Sequence, residues 1–167
     1  MTDSIKILRI QYENIPLFHD GCFEFSFLAE DRVSDPAQVF QIRKNLYTQK
    51  LTALVGINAS GKTSVLKLIY LAISIVLERG SLNTLVYDKS LLQDETKITI
   101  DFCHGDSCYE LHSIIGKRAP SRGMGTELYF KEEQLFKKPL ASIKSKKDAL
   151  YFDQTRLALQ RSQLPKD

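Results

Sequence analysis

The most specific pattern in this sequence is Gly56-Ile57-Asn58-Ala59-Ser60-Gly61-Lys62-Thr63. It fills the pattern G-x-x-x-x-G-K-[ST] without a mismatch. The apolar residues 51–55 just before it predict a short strand that is buried on both faces and central in its sheet. Residues 62–79 just after it predict a helix that ends at Gly80 and packs through Val65, Leu66, Ile69, Ile73 and Val76.

This pattern is the Walker A motif, or P-loop, and its residue types suit the binding of phosphate. The glycines allow the loop to curl, so that successive backbone N–H groups point at phosphate oxygens, and the helix N-terminus adds its dipole. Lys62 would reach the β- and γ-phosphates of ATP, and the Thr63 hydroxyl would ligate Mg²⁺. The predicted nucleotide-binding residues are Gly56, Asn58, Ala59, Ser60, Gly61, Lys62, Thr63 and Ser64.

Length and composition set limits on the fold and on the function. With 167 residues, 43% of them hydrophobic, the chain can bury a full core, and residues 1–167 are expected to form one domain. A net charge of +3 is too small to indicate nucleic-acid binding by itself. The most apolar run, residues 65–77, is too short and too interrupted to span a bilayer, and no signal peptide is recognisable. We therefore expect a cytoplasmic protein that does not bind membranes.

The three cysteines are an odd number, which argues against a disulfide framework. Cys103 and Cys108 lie close together in the sequence, and His112 follows, but this set lacks a convincing fourth zinc ligand. We therefore predict free thiols in a hairpin.

Alternating apolar residues predict two antiparallel hairpins. The first joins residues 5–12 to residues 22–27 and places Phe23, Phe25 and Phe27 on one buried face. The second joins residues 97–102 to residues 109–114 through a turn at Gly105-Asp106. This register pairs Phe102 with Tyr109 and Ile100 with Leu111, but it also sets Asp101 opposite Glu110, an unfavourable contact between like charges.

The remaining segments give weaker signals. Asp35-Pro36 suits the start of a short helix, and residues 127–136 predict a third antiparallel strand after the second hairpin. The basic residues 116–125 and 137–147 could touch nucleic acid, although exposed basic loops usually have no such role. Residues 148–163 predict a helix.

The order of these elements resembles the N-terminal lobe of ABC-type ATPase heads, such as those of SMC, RecF and RecN proteins and of OLD-family nucleases and related bacterial defence ATPases. Asn14 lies in the loop of the opening hairpin, as in that family, and Asn58 and Ser60 match the family's form of the P-loop. The resemblance implies an α/β fold: a mixed sheet with antiparallel hairpins and one main P-loop helix. It also implies ATP and Mg²⁺ as ligands, a head-to-head dimer, and a nucleic-acid or nuclease partner.

Other motifs of that family are missing from the sequence. It has no Walker B strand ending in Asp-Glu, no LSGG-like signature, no D-loop and no switch histidine. The nearest imitations of Walker B end at Asp88 and Asp101, and neither aspartate is followed by the glutamate that activates water. In SMC-like heads these motifs lie far downstream, so we expect the chain to be the N-terminal piece of a larger ATPase, with a C-terminal lobe as its partner.

Three functions remain open on this basis. In the first, the larger protein hydrolyses ATP to drive a DNA transaction or a defence reaction. In the second, the chain is a nucleotide-binding module without hydrolysis. In the third, it is a complete small P-loop kinase that uses Asp88. Hydrolysis needs groups that the sequence lacks, so the catalytic residues stay unassigned.

Overall fold

The computed structural model describes residues 4–29, 35–57, 61–86, 88–120 and 124–162. The strands in these residues are β1 (Lys6–Glu13), β2 (Cys22–Ser26), β3 (Val39–Arg43), β4 (Leu46–Gln49), β5 (Thr96–His104), β6 (Ser107–Arg118), β7 (Glu127–Pro139) and β8 (Leu157–Ser162). The helices are α1 (Lys62–Val76), α2 (Leu82–Leu85) and α3 (Lys146–Ala149). Single 3-10 turns lie at Pro36–Gln38, Lys89–Leu91, Leu140–Ser142 and Gln154–Arg156.

Six of these strands form one sheet in the order β2-β1-β5-β6-β7-β8, and every neighbouring pair is antiparallel. Strands β3 and β4 form a separate antiparallel hairpin. The predicted α/β fold with a mixed sheet, as in the N-terminal lobe of a P-loop NTPase, is therefore wrong. The described residues form a β-rich fold built on an antiparallel sheet, and they contain no parallel sheet flanked by helices.

Residues 51–57 account for much of this difference. Residues 51–55 were expected to form the central strand, but residues 51–57 belong to no strand, and Leu51, Val55 and Ile57 are more than four-fifths exposed. An apolar sequence predicts burial only where neighbouring strands exist to cover it. Within the described residues no strand pairs with this segment, so its apolar side chains face solvent. We call residues 51–57 the exposed strip.

The predicted hairpins are confirmed. Strand β1 pairs with β2. Strand β5 pairs with β6 in the predicted register, including Phe102 with Tyr109 and Asp101 with Glu110. Strand β7 follows as predicted, and Asp35 caps the first 3-10 turn by accepting a hydrogen bond from the Ala37 N–H at 2.8 Å.

Helix α1 forms where predicted but ends at Val76. Of its predicted face, Ile69, Ile73 and Val76 pack partly buried against the core, as expected. Its buried residues are Leu68, Leu71, Ala72 and Ser74, whereas Leu66 is 55% exposed. The helix is apolar on nearly all sides, so spacing alone could not select the face that meets the sheet. That face packs on one side of the sheet, against residues such as Ile10, Ile98 and Ile100. With 15 residues, α1 is the longest helix described, and no helix in the described ranges is long and apolar enough to cross a membrane.

The predicted helix over residues 148–163 is wrong. Helix α3 ends at Ala149, and residues 157–162 form β8, which extends the sheet beyond β7. Leu157 and Leu159 were interpreted as helical positions, but they are two residues apart and equally suit a strand. The exposed edge of β7 supplied the hydrogen-bonding partner that decided between the two structures.

The prediction of free thiols is wrong for Cys103 and Cys108, which form a disulfide across the β5–β6 hairpin. The register places them directly opposite each other, with 4.1 Å between their Cα atoms. An odd number of cysteines does not forbid one disulfide and one free thiol, and Cys22 is the exposed free cysteine. No group of three potential ligands for a metal ion occurs in the described part of the chain.

We expect reduction of this disulfide to lower the free energy of unfolding by about 2 kcal/mol, the loss of chain entropy predicted for so short a loop. The double variant Cys103→Ala/Cys108→Ala should lose a similar amount, and Cys22→Ala should lose little. Urea unfolding with and without dithiothreitol measures the difference. Equal midpoints for oxidised and reduced wild-type protein would contradict the expectation.

Candidate functional site

The N-terminus of α1 is the predicted phosphate-binding position. Gly61 precedes the helix with a φ of 81°, in the left-handed region that glycine adopts without strain, and no side chain caps the helix there. At this end a helical hydrogen bond runs from the Val65 N–H to the Gly61 carbonyl oxygen, at 3.0 Å. The N–H groups of residues 62–64 precede it and therefore have no partner within the helix. In an α-helix the backbone N–H groups of the first turn point out of this end.

The Lys62 side chain folds back over its own loop. Its Nζ donates to the carbonyl oxygens of Gly56 at 2.7 Å and Ile57 at 2.6 Å. A positive charge therefore lies beside the uncapped donors of α1, where an anion would be held. Thr63 is exposed and Ser64 is half-buried at the same helix end. The predicted contacts Asn58, Ala59 and Ser60 lie outside the described residues.

The rest of the fold holds this helix end in place. The Tyr12 hydroxyl on β1 donates to the Leu68 carbonyl oxygen of α1 at 2.7 Å, and both groups are buried. Burial raises the pKa of the Tyr12 phenol far above its ordinary value, so the hydroxyl keeps its proton. The helix is thereby fixed to β1 about two turns from its start.

The two candidate acids lie in different places. Asp88 is exposed and borders a groove that also has Thr63 and Lys67 in its lining. The hydroxyl and N–H of Ser90 both donate to Asp88, and together with the Lys67 charge they lower the pKa of its carboxyl. Asp88 is therefore ionised at neutral pH, on the side of α1 that carries Thr63.

Asp101 lies on the opposite face of the sheet from α1. Its neighbour Phe102 packs with the core under α1, whereas Cys103 packs with a second core beneath the β3–β4 hairpin. Because side chains alternate along a strand, Asp101 shares the face of Cys103. Asp101 therefore cannot reach the P-loop. A Walker B aspartate has to lie beside that loop, so Asp101 cannot take this role.

Asp101 instead belongs to a buried group of charges. Arg9 Nε lies 2.8 Å from Asp101 Oδ2, while Asp101 Oδ1 is buried without a hydrogen-bond partner. Glu110 on β6 lies directly opposite Asp101, and Glu110 Oε1 is 3.0 Å from His112 Nε2. Burial raises the pKa of Asp101 to about 7, with a contribution from Glu110, and Arg9 opposes the rise. A proton on Asp101 would allow it to donate to Glu110, which relieves the contact between like charges.

Several of the predicted basic side chains have structural roles. In the segment 137–147, Lys138 donates to the Asp148 and Tyr151 carbonyl oxygens, and Lys146 donates to the Ala29 carbonyl oxygen. Burial lowers the pKa of Lys138. These lysines tie the segment that contains α3 to β7 and to the loop after β2, so they are not available as a surface for nucleic acid.

The groove beside α1 was not predicted from the sequence. One feature of the sequence could have indicated it: α1 is apolar on nearly every side, although only one side can meet the sheet. Leu66 and Tyr70 are therefore left about half exposed. No family model matches this chain, and neither a curated protein nor a solved structure matches it.

Proposed function

We propose that residues 56–64 bind the triphosphate of ATP together with Mg²⁺. The observation that carries this proposal is the position of Lys62, whose ammonium lies beside the uncapped start of α1, held by the carbonyl oxygens of Gly56 and Ile57. Cations, backbone N–H groups and a helix dipole that converge on one point favour a polyanion. Thr63 is exposed at the same end, where its hydroxyl would ligate Mg²⁺.

The exposed strip supports a role for the chain within a larger ATPase. Leu51, Val55 and Ile57 present apolar side chains to solvent immediately before the P-loop. The backbone of the strip also pairs with no strand of the described residues, so another strand could hydrogen-bond to it. We propose that a further polypeptide segment covers the strip, as a C-terminal lobe does in the ABC-type heads that the motif resembles. The proposal of a DNA or nuclease partner rests on that resemblance alone.

The carboxylate that activates water for hydrolysis is proposed to come from that further segment. Asp101 lies on the wrong face of the sheet, and Asp88 is followed by Lys89 where a Walker B motif has glutamate. The chain on its own would then hold ATP without positioning a water molecule for attack.

A P-loop kinase is the second candidate, and Asp88 favours it. This carboxylate is ionised and lines the same groove as Thr63, a position from which it could accept the proton of a hydroxyl substrate. A kinase of this kind would transfer phosphate to an acceptor and would not require the further segment.

Binding and turnover measured on one sample test these alternatives. We expect the chain to bind ATP·Mg²⁺ in an equilibrium titration and to release phosphate no faster than ATP does in buffer. Folded protein that binds no ATP at millimolar concentration would contradict the proposal. Steady phosphate release that is lost in Asp88→Asn would show that the chain supplies its own acid, and transfer of phosphate to added hydroxyl compounds would favour the kinase.

A further inference from the structure

An apolar groove runs along α1 from the P-loop end. It has a volume of about 340 Å³ and lies between α1 and residues 85, 86, 88, 91 and 92. Leu66 and Tyr70 line one wall, and Leu85 and Leu91 line the other. Pockets of this size with mainly apolar walls and a few polar groups are typical sites for small organic ligands.

Both walls of the groove are fixed to the same sheet. The α1 wall is held by the hydrogen bond from Tyr12 to Leu68. The other wall is held at Asn83, whose side chain donates to the Leu128 carbonyl oxygen and accepts from the Leu128 N–H, both at 2.9 Å. Lys117 Nζ on β6 also donates to the Lys89 carbonyl oxygen at 2.9 Å. The groove is therefore formed before any ligand arrives, which lowers the entropic cost of binding.

The groove begins at the proposed phosphate site. Thr63, which would ligate Mg²⁺, is one of its lining residues, and Tyr70 lies seven residues further along the helix. At 1.5 Å per residue this distance is about 10 Å, comparable to the length of a nucleoside. Two charged groups border the groove, the Lys67 ammonium and the ionised Asp88 carboxylate.

We propose that this groove binds the base and ribose of the nucleotide whose phosphates occupy residues 56–64, an inference that rests on the proposed function. The base lies between the Leu66–Tyr70 wall and Leu91, where apolar contact and stacking on the tyrosine ring stabilise a flat heterocycle. Asp88 accepts a hydrogen bond from an N–H or O–H group of the nucleoside. Lys67 lies where the chain of phosphates enters and adds a second positive charge.

The geometry favours a nucleoside over an apolar peptide for two reasons. The groove is continuous with the phosphate site at Thr63, so one molecule can fill both. An ionised carboxylate at the border of the groove also complements the donors of a base or a ribose, whereas an apolar side chain has no hydrogen-bond donor to offer it.

The test compares ATP with inorganic tripolyphosphate, each with Mg²⁺, by equilibrium titration. Tripolyphosphate carries the phosphates without a nucleoside, so wild-type protein should bind ATP at least about tenfold more tightly. Leu66→Gln and Asp88→Asn should remove most of that preference and leave the affinity for tripolyphosphate unchanged. Leu66 is exposed, and asparagine can still cap the turn at Asp88, so both variants should fold. Leu77→Gln, at the far end of α1 and outside the groove, is the matched control.

Equal affinity of wild-type protein for ATP and tripolyphosphate would overturn the groove proposal while leaving phosphate binding at residues 56–64 intact. A preference for ATP that survives both groove variants would place the nucleoside elsewhere and would also overturn it. Binding of neither compound would overturn both this inference and the proposed function. A loss of affinity for both compounds in Leu66→Gln would show that the groove acts on the phosphate site and not on the base, against the proposal.

Discussion

ATP·Mg²⁺ should raise the melting temperature of this protein, and Lys62→Ala should abolish the rise. A ligand at 100 times its Kd stabilises the native state by about 2.7 kcal/mol. For a chain of this length that corresponds to roughly 5–10 °C. Removal of Lys62 deletes the charge-assisted contacts to the β- and γ-phosphates, so the affinity should fall by about 100-fold or more. Thermal denaturation of both proteins over a range of ATP concentrations measures the effect.

Two comparisons make this experiment specific. Lys97→Ala removes an exposed lysine of β5 that lies 3.4 Å from Glu13, and it should leave the ATP response unchanged. Lys62→Ala without ligand should melt close to the wild-type temperature, because its ammonium is held by loop carbonyl oxygens and is not part of the core. A Lys62→Ala protein that is folded and retains the full ATP response would refute phosphate binding at this loop.

The free energy of unfolding should fall as the pH rises from about 5 to 8, and Asp101→Asn should flatten this dependence. Burial raises the pKa of Asp101 to about 7 in the folded protein, while an unfolded aspartate titrates near 4. Between these values the folded protein binds more protons than the unfolded chain, so its stability declines with increasing pH. The difference between the two pKa values corresponds to on the order of 4 kcal/mol.

Asparagine in this position carries no charge and can still accept from Arg9 and donate to Glu110. The variant should therefore be more stable than wild-type protein at pH 8 and similar to it at pH 5. Asp106→Asn, at the exposed turn of the same hairpin, is the control and should keep the wild-type dependence on pH. Urea midpoints measured from pH 5 to 8 provide the comparison. A wild-type midpoint that rises steadily over this interval would show that the Arg9 pair outweighs the burial of Asp101.

The sequence predicted those parts of the fold that are set by local patterns. The β5–β6 hairpin was predicted to the residue, because alternation and the Gly105-Asp106 turn define one register. The pairing of Asp101 with Glu110 was part of that prediction. The contact between Arg9 and Asp101 was not predicted. Arg9 lies on β1, about 90 residues earlier in the chain, and no local pattern places β1 beside β5.

The errors arose where a segment depends on its neighbours in space. Residues 51–55 are apolar enough for a central strand, but an apolar strand needs flanking strands, and the sheet formed elsewhere. Within the segment expected to be a helix, Leu157–Ser162 became β8 because the edge of β7 offered hydrogen bonds that a helix could not use. The P-loop motif predicted the helix after it, whereas the groove beside α1 depends on how α2 docks against β7.

The hydrogen bonds from Lys62 to the Gly56 and Ile57 carbonyl oxygens link two regions that have been described separately. Phosphate oxygens would draw the ammonium away and leave these two carbonyl oxygens without their donor. Both belong to the last residues of the exposed strip, so we expect ligand binding to free acceptors at the edge that another strand would join. Nucleotide and covering strand would then each raise the affinity of the other by the same factor, as thermodynamic reciprocity requires. Nucleotide bound at the loop would thus change the affinity of the exposed strip for the polypeptide that covers it.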